Sequence, residues 1–156
     1  DTPIGKMPVR IGFKLFEDGN IESIEPAEPV TVKTPIGTIN VFDKNALGID
    51  AGKNSLQFNR KGRLISVSTS DTIIIRKNDS ESEIISPKLK PGLMDEEFEE
   101  VPLKLLFEDD TVIIHDGVKK ASYKIAEYTF RILRGLYKKV KNCNNCSVCY
   151  DLCSLN

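Results

Sequence analysis

The chain has 156 residues and a formal net charge of −1, with 40% apolar and 29% charged residues. This composition is typical of a soluble globular protein with one sizeable core, and it excludes an intrinsically disordered chain. No apolar run approaches the roughly 20 residues that a membrane-spanning helix needs, so no transmembrane segment is predicted. The first residue is Asp1, which leaves a processed signal peptide or an excised domain open.

Two glycine-containing hairpins are predicted in the first half of the chain, 43 residues apart. Residues 13–24 read FKLFEDGNIESI and residues 56–67 read LQFNRKGRLISV, and both alternate apolar and polar side chains around a glycine turn. When Gly19 is aligned with Gly62, the apolar positions of the two stretches coincide, which predicts an internal duplication. The same offset aligns two further apolar pairs, Val30 with Ile73 and Val32 with Ile75.

A third, degenerate copy is predicted at residues 103–114, LKLLFEDDTVII, which keeps a strand, an acidic turn and a second strand without the glycine. Each of the first two modules is expected to hold four short strands. In the first module they fall near 11–16, 20–25, 29–34 and 38–42, and in the second near 55–59, 63–68, 72–76 and 82–86. Alternation with period two predicts a mainly β fold of antiparallel hairpin modules rather than parallel βαβ units.

The chain is therefore expected to divide into three segments that form one compact unit with an appendage. Residues 1–90 form the duplicated hairpin region, residues 91–125 the third degenerate module, and residues 126–156 a basic helix and a cysteine loop. The stretch PKLKPG at 87–92 is predicted to be a linker because proline and glycine interrupt regular structure. The acidic run DEEFEE at 95–100 lacks the ligand alternation and turn glycine of a calcium loop, which favours a solvated loop.

Catalysis by side chains is not indicated anywhere in the sequence. His115 is the single histidine, and Asp116 beside it suggests a dyad, but adjacent strand residues point to opposite faces. The sequence has no nucleophile elbow, phosphate-binding loop or dinucleotide fingerprint. The pair Asp109-Asp110 suits a turn better than acid–base chemistry. An enzyme is therefore the less favoured class.

Apolar residues recur at spacings of three and four from Ile125 to Lys141, which predicts an amphipathic helix with a basic face.

The stretch 118–142 holds eight basic residues against Glu127 alone, a net charge of +7 that leaves −8 for the remainder. Such a separation can steer an acidic protein partner or be satisfied within the molecule, and solvated cations are the favoured interpretation. Nucleic acid is disfavoured because the sequence pI is near 5.9. The candidate docking residues are Arg131, Arg134, Lys138 and Lys141.

All four cysteines lie within eleven residues, at positions Cys143, Cys146, Cys149 and Cys153. Disulfides among them would close only very short loops, which constrain little of the unfolded chain. Structural zinc usually draws two cysteine pairs from separated segments, and this chain has no second pair. Acylation beside a basic helix would anchor the protein to a membrane. The fourth alternative is an iron–sulfur cluster, which thiolates suit as soft ligands.

The cysteine run resembles the ligand loop of bacterial-type ferredoxins, whose pattern is C-x₂-C-x₂-C-x₃-C-P. The spacing from Cys143 to Cys153 is reproduced in full, with Ser154 in place of the proline. The resemblance implies that the four cysteines are ligands of a [4Fe–4S] cluster, with Zn²⁺ as the alternative metal. In those ferredoxins the fourth cysteine serves a second cluster, so Cys153 would fold back here or a partner would supply a ligand.

The sequence thus favours a small iron–sulfur protein or accessory subunit for electron transfer or cluster-dependent assembly, with the β-structured part as a scaffold. The alternative is a non-catalytic β-repeat interaction module whose tail is stapled by zinc or disulfides. A cluster implies a reducing, cytoplasmic setting, whereas disulfides imply export. A cluster shared between two chains would produce a metal-dependent homodimer.

Overall fold

The computed structural model describes residues 2–46, 54–78, 81–92 and 98–135. These residues contain fourteen β-strands and one turn of 3₁₀ helix at Ile125–Glu127, and every strand pairing among them is antiparallel. The mainly β, antiparallel fold class that the sequence predicts is confirmed. The strands are β1 (Val9–Leu15), β2 (Ile21–Pro26), β3 (Val30–Thr34), β4 (Gly37–Val41), β5 (Leu56–Phe58), β6 (Leu64–Thr69), β7 (Thr72–Arg76), β8 (Glu83–Ile85), β9 (Lys88–Pro91), β10 (Phe98–Val101), β11 (Leu103–Glu108), β12 (Thr111–His115), β13 (Lys120–Lys124) and β14 (Thr129–Leu133).

A seven-stranded sheet forms the larger layer, with the strand order β1-β2-β5-β6-β11-β12-β13. Its register brings one apolar side chain from each strand into a single row across the sheet. The five inner members of this row are at most 2% exposed, whereas the member on the edge strand β1, Phe13, is 60% exposed. The row consists of Phe13, Ile24, Leu56, Val67, Leu105, Ile114 and Ala121. Burial of the five inner members in the core shared with the second layer stabilises the fold.

The second layer consists of the β3–β4 hairpin and the three-stranded sheet β14-β7-β8. Val32, Ile39 and Val41 from the hairpin share one hydrophobic core with Ile73 and Ile75 from β7 and with the apolar row of the larger sheet. Strands β4 and β14 are neighbours, because a β-carbon added to the first residue of β4 would lie 3.6 Å from the Ile132 side chain. We use the name β-body for the strands of these two layers together, β1–β8 and β11–β14.

Strand β14 reaches the second layer by a crossover from the far edge of the large sheet. The 3₁₀ turn follows β13 directly, and an aromatic cluster holds the crossover in place. The ring of Tyr123 is 5.3 Å from that of Tyr128 and 6.5 Å from that of Phe130, in edge-on contacts. The Tyr123 hydroxyl donates a 2.8 Å hydrogen bond to Glu83, and burial together with this carboxylate raises the pKa of Tyr123 above its usual value.

The two glycine hairpins have the same turn geometry at the predicted 43-residue spacing. The amide of Gly19 donates to the carbonyl of Phe16 at 3.0 Å, and the amide of Gly62 donates to the carbonyl of Asn59 at 2.9 Å. The φ angles of Gly19 and Gly62 are positive, at 83° and 72°. Residues that carry a β-carbon rarely adopt this backbone conformation. Each hairpin also has a register irregularity just before its turn. An origin by duplication stays a prediction.

The predicted linker is wrong for Lys88–Pro91, which forms β9 and pairs with β10 over four residues. Proline is tolerated here because Pro91 lies at the end of a two-stranded ribbon, where its missing N–H costs no ladder hydrogen bond. We call this β9–β10 hairpin the arm. In the large sheet, β6 pairs with β11. The predicted segments 1–90 and 91–125 therefore share one sheet.

The predicted C-terminal helix is wrong for Ile125–Glu127, which is a single 3₁₀ turn, and for Thr129–Leu133, which is β14. In β14, Phe130 and Ile132 are half-buried while the three residues around them are exposed, which is the alternation of a strand. The helical spacing of Ile125, Thr129 and Ile132 runs through the same stretch, and pairing of β14 with β7 decides in favour of the strand. Residues 136–141 of the predicted helix lie outside the described residues.

Candidate functional site

The four predicted metal ligands, Cys143, Cys146, Cys149 and Cys153, lie outside the described residues, as do Lys138 and Lys141 of the predicted docking set. The described chain stops at Gly135, eight residues before the first cysteine. The part of the site that the structure does show is therefore the place where the tail leaves the β-body. We call it the exit junction, formed by Asn40, Ser70, Asp71 and Gly135.

Asp71 is the centre of the exit junction and is fully buried between β6 and β7. One of its carboxylate oxygens accepts a hydrogen bond from the amide of Gly135, and the other accepts one from the amide of Asn40, both at 2.8 Å. The amide of Asp71 in turn donates to the hydroxyl of Thr69, which donates to the carbonyl of Asn40 at 2.6 Å. Hydrogen bonds to a carboxylate are stronger than neutral ones. A single side chain thus ties three separate segments together.

Gly135 is required by a close approach of two backbone segments. A β-carbon at this position would lie 2.5 Å from the carbonyl oxygen of Ser70, a distance that real side chains do not adopt. The hydroxyl of Ser70 donates a hydrogen bond to the carboxylate of Glu100, which belongs to the arm. The exit junction therefore joins the end of β14, the connection between β6 and β7, and the base of the arm.

Two of the four predicted docking residues are described, and both are exposed beside the exit junction. Arg131 lies on the solvent side of β14, and Arg134 follows that strand directly, one residue before Gly135. They do not lie on a helix as predicted. Their exposure keeps them accessible to an anionic partner.

A second buried carboxylate, Glu25, lies on β2 and was missed at the level of sequence. One oxygen accepts the amide of Ser55 at 2.7 Å, and the other accepts the Ser55 hydroxyl at 3.0 Å and the amide of Asp43 at 3.5 Å. Burial raises the pKa of Glu25, and these hydrogen bonds from Ser55 and Asp43 oppose part of that rise. Next to it, the buried amide of Asn54 donates to Ser23 at 3.0 Å, while its oxygen has no protein partner.

Replacing Glu25 by Gln is expected to change how stability depends on pH. The pKa of Glu25 in the folded protein lies above its usual value of 4.5. The stability that Glu25 contributes is therefore fully present below pH 4.5, and it declines as the pH rises through the pKa of the folded protein. The free energy of unfolding of Glu25→Gln, relative to the wild type, should therefore rise from acidic to neutral pH. Urea denaturation at a series of pH values measures this, with the exposed Glu108→Gln as control. Parallel curves for Glu25→Gln and the wild type would contradict the expectation.

His115 and Asp116 take part in a turn rather than in a catalytic pair. The Nδ1 atom of His115 accepts the amide of Gly117 at 3.3 Å. The carboxylate of Asp116 accepts the amides of Val118 and Lys119 at 2.9 and 2.7 Å, and it forms a 2.8 Å ion pair with Lys88. The amide of Lys119 foremost, and then Lys88, hold the pKa of Asp116 far below its usual range. Asp116 thus serves to close the turn after β12.

Within the described ranges, no three His, Cys, Asp or Glu side chains are grouped closely enough to hold a metal ion. The same part of the chain contains no helix that is long and apolar enough to cross a membrane.

Asp71 and Glu25 had a faint sequence signal, since each is an acidic residue within or directly beside an otherwise regular strand pattern.

Comparison with known proteins gave no match: no family model matches the chain, and no curated protein or solved structure is significantly similar to it.

Proposed function

We propose that this protein is a small iron–sulfur protein or accessory subunit, in which the β-body is a scaffold for a C-terminal [4Fe–4S] cluster. The observation that carries the proposal is the cysteine spacing of x₂, x₂ and x₃, which reproduces the ligand loop of bacterial-type ferredoxins. Four thiolates within eleven residues match the soft donor set that such a cluster takes. The ligands would be Cys143, Cys146, Cys149 and Cys153.

The role of such a protein would be electron transfer or cluster-dependent assembly in a reducing, cytoplasmic setting. A bound cluster supplies a one-electron redox centre. The chain's own residues would hold it through their thiolates, while Asp71 fixes the position of Gly135 and so the origin of the tail. Arg131 and Arg134, exposed beside that origin, support docking of an acidic protein partner.

The test is anaerobic purification followed by a visible spectrum, with iron, sulfide and zinc assays on the same sample. We expect a broad absorption at about 400 nm, about four irons and four sulfides per chain, and bleaching by dithionite. A colourless protein without iron would contradict the proposal.

Replacing Cys146 by Ser is expected to abolish that absorption and the bound iron while the β-body stays folded. The reason is that Cys146 would supply a ligand of the cluster, whereas the buried core is built from residues 24–123 of the described chain. Iron content and the visible spectrum measure the first effect, and circular dichroism with thermal unfolding measures the second. Ser147→Ala, inside the same loop, is the matched control and should keep its colour. Full iron content in Cys146→Ser would remove this residue from the ligand set.

A second candidate function is a non-catalytic interaction module with a zinc- or disulfide-stapled tail. It is favoured by the large apolar side chains that the described surface exposes, such as Phe13 on β1 and Phe98 on the arm. The shared hairpin geometry at the 43-residue spacing supports a body built by internal duplication, as in repeat modules. One zinc per chain, or four oxidised thiols, would select this function over the first.

A further inference from the structure

Strands β8 and β13 lie along a seam between the two layers of the β-body. β8 ends the three-stranded sheet and β13 ends the seven-stranded sheet, so each has one edge without a neighbour strand among the described residues. Two side-chain contacts bridge the seam. The Tyr123 hydroxyl donates to Glu83 at 2.8 Å near one end, and Lys88 forms its 2.8 Å ion pair with Asp116 just beyond the other end. The two layers are therefore joined at both ends of the seam.

A cleft of about 490 Å³ opens along the seam between these two contacts. We call it the seam cleft. Its floor is apolar, because Ile114 is 2% exposed and Ile85 and Ala121 are half-buried against the same core. Pockets that bind small organic molecules have volumes of about 300–1,000 Å³ and are mostly apolar with a few polar groups. The seam cleft has the size and the floor of such a pocket.

One end of the seam cleft carries unpaired positive charge. Lys119 and Lys120 line the end beside Asp116, both are exposed, and within the described ranges neither forms an ion pair. The carboxylate of Asp116 is already engaged, since it accepts two backbone amides and pairs with Lys88. Glu83, the other carboxylate of the lining, belongs to the opposite end of the seam. The free lysines therefore favour an anion at their end.

Both lysines can reach a ligand in the seam cleft. Lys119 precedes β13 in the turn that follows β12. Lys120 alternates with Ala121, so its side chain begins on the outer face of the large sheet. Because β13 is an edge strand, the long stem of Lys120 can bend around that edge and bring its ammonium group to the mouth of the cleft.

We propose that the seam cleft binds a small carboxylic acid with an apolar chain. The chain lies on the apolar floor, and the carboxylate faces Lys119 and Lys120. A free acid is favoured over a protein segment, because a strand that runs the length of the seam would have to break the contact at each end. The proposal goes beyond the proposed function, since no residue of the cleft belongs to the cysteine run.

The first test is a titration of the ¹⁵N-labelled full chain with octanoate, followed by amide NMR spectra. We expect saturable shifts that are largest in β8 and β13, with a dissociation constant of about 0.1–1 mM, an affinity in keeping with so small a ligand. Octanol has the same apolar chain without the charge and should bind at least about fivefold more weakly. Equal affinity for octanol, or no saturable shift in β8 and β13, would overturn the proposal.

The second test fills the seam cleft. Ala121→Leu is expected to weaken octanoate binding at least about tenfold, because the larger side chain takes up space on the floor. Ser122→Leu places the same side chain on the opposite, exposed face of β13 and should bind octanoate like the wild type. Thermal unfolding shows whether each variant is folded. Wild-type affinity in a folded Ala121→Leu variant would place octanoate elsewhere and refute the proposal.

A charge variant keeps the proposal testable if Ala121→Leu does not fold. Lys119→Gln combined with Lys120→Gln changes only exposed side chains and is expected to weaken octanoate binding about fivefold. Lys33→Gln combined with Lys61→Gln removes the same charge from two exposed lysines outside the cleft and should leave the affinity unchanged. Equal losses in the two double variants would mean that octanoate responds only to net charge, which contradicts a site at the seam.

Discussion

Ending the chain after Tyr128 is expected to unfold the protein, whereas ending it after Gly135 is expected to leave the β-body folded. The difference is β14, which pairs with β7 along five residues and packs Phe130 and Ile132 against the core. Without β14, the buried side chains of Ile73 and Ile75 become exposed to water, and one edge of β7 loses its hydrogen-bonded neighbour strand. We expect a loss of at least about 5 kcal/mol in the free energy of unfolding, comparable to the whole stability of a domain of this size.

Circular dichroism and urea denaturation of the two truncated chains, beside the full chain, measure this effect. The chain that ends at Gly135 is the matched control, since it lacks the cysteine run but keeps β14 and the hydrogen bond from Gly135 to Asp71. A cooperative β-sheet transition in the shorter chain would show that β14 is an accessory strand. An unfolded longer chain would show instead that the β-body depends on residues 136–156.

Replacing Asp71 by Ala is expected to lower the free energy of unfolding by about 2–4 kcal/mol, because the amides of Asn40 and Gly135 lose a buried charged acceptor. Asp71→Asn should cost less, since one of its two acceptor oxygens is kept. Urea denaturation measures both variants. The exposed Glu28→Ala serves as control and should stay within about 0.5 kcal/mol of the wild type.

The same variants also report on the tail. If Asp71 fixes the origin of the tail, Asp71→Ala should release Gly135 before the β-body unfolds, and hydrogen exchange at the Gly135 amide should accelerate more than exchange in β11. A stability equal to that of the wild type would mean that water replaces the carboxylate at no cost, and the exit junction would not be an anchor.

The hairpins were predictable from sequence because their information is local. Alternation around Gly19 and Gly62 specifies strand and turn, and the structure confirms these elements close to the predicted bounds. The alternation does not specify burial, because Phe13 and Leu15 on the edge strand β1 are exposed. The position of β14 was not predictable, since Ile125, Thr129 and Ile132 recur at helical spacing while Phe130 and Ile132 fit the alternation of a strand. Only β7, more than fifty residues earlier in the chain, decides between the two. The arm was missed for a related reason, because two prolines masked a ribbon whose partner strand lies beyond the acidic run.

The chemistry of the candidate site stays a prediction, and the surroundings that the structure describes could not be predicted from the sequence. The cysteine run is a local spacing, and it stays a prediction because it lies outside the described residues. The role of Asp71 depends on Asn40 and Gly135, which are 31 and 64 residues away in sequence, and no local pattern encodes that meeting. Glu25 is hidden in the same way, since its partner Ser55 is 30 residues away.

The route of β14 has a consequence for association between molecules. A strand such as β14, which crosses from one layer to the other through a single 3₁₀ turn, can be exchanged between two copies with little rearrangement, which is the geometry of domain swapping. A chain whose β14 has detached presents an open edge of β7 and the apolar side chains behind it, and such an edge is a template for pairing with another chain. The hydrogen bond between Asp71 and Gly135 holds the end of β14 that is nearest the tail. We therefore expect it to oppose strand exchange and aggregation through the edge of β7.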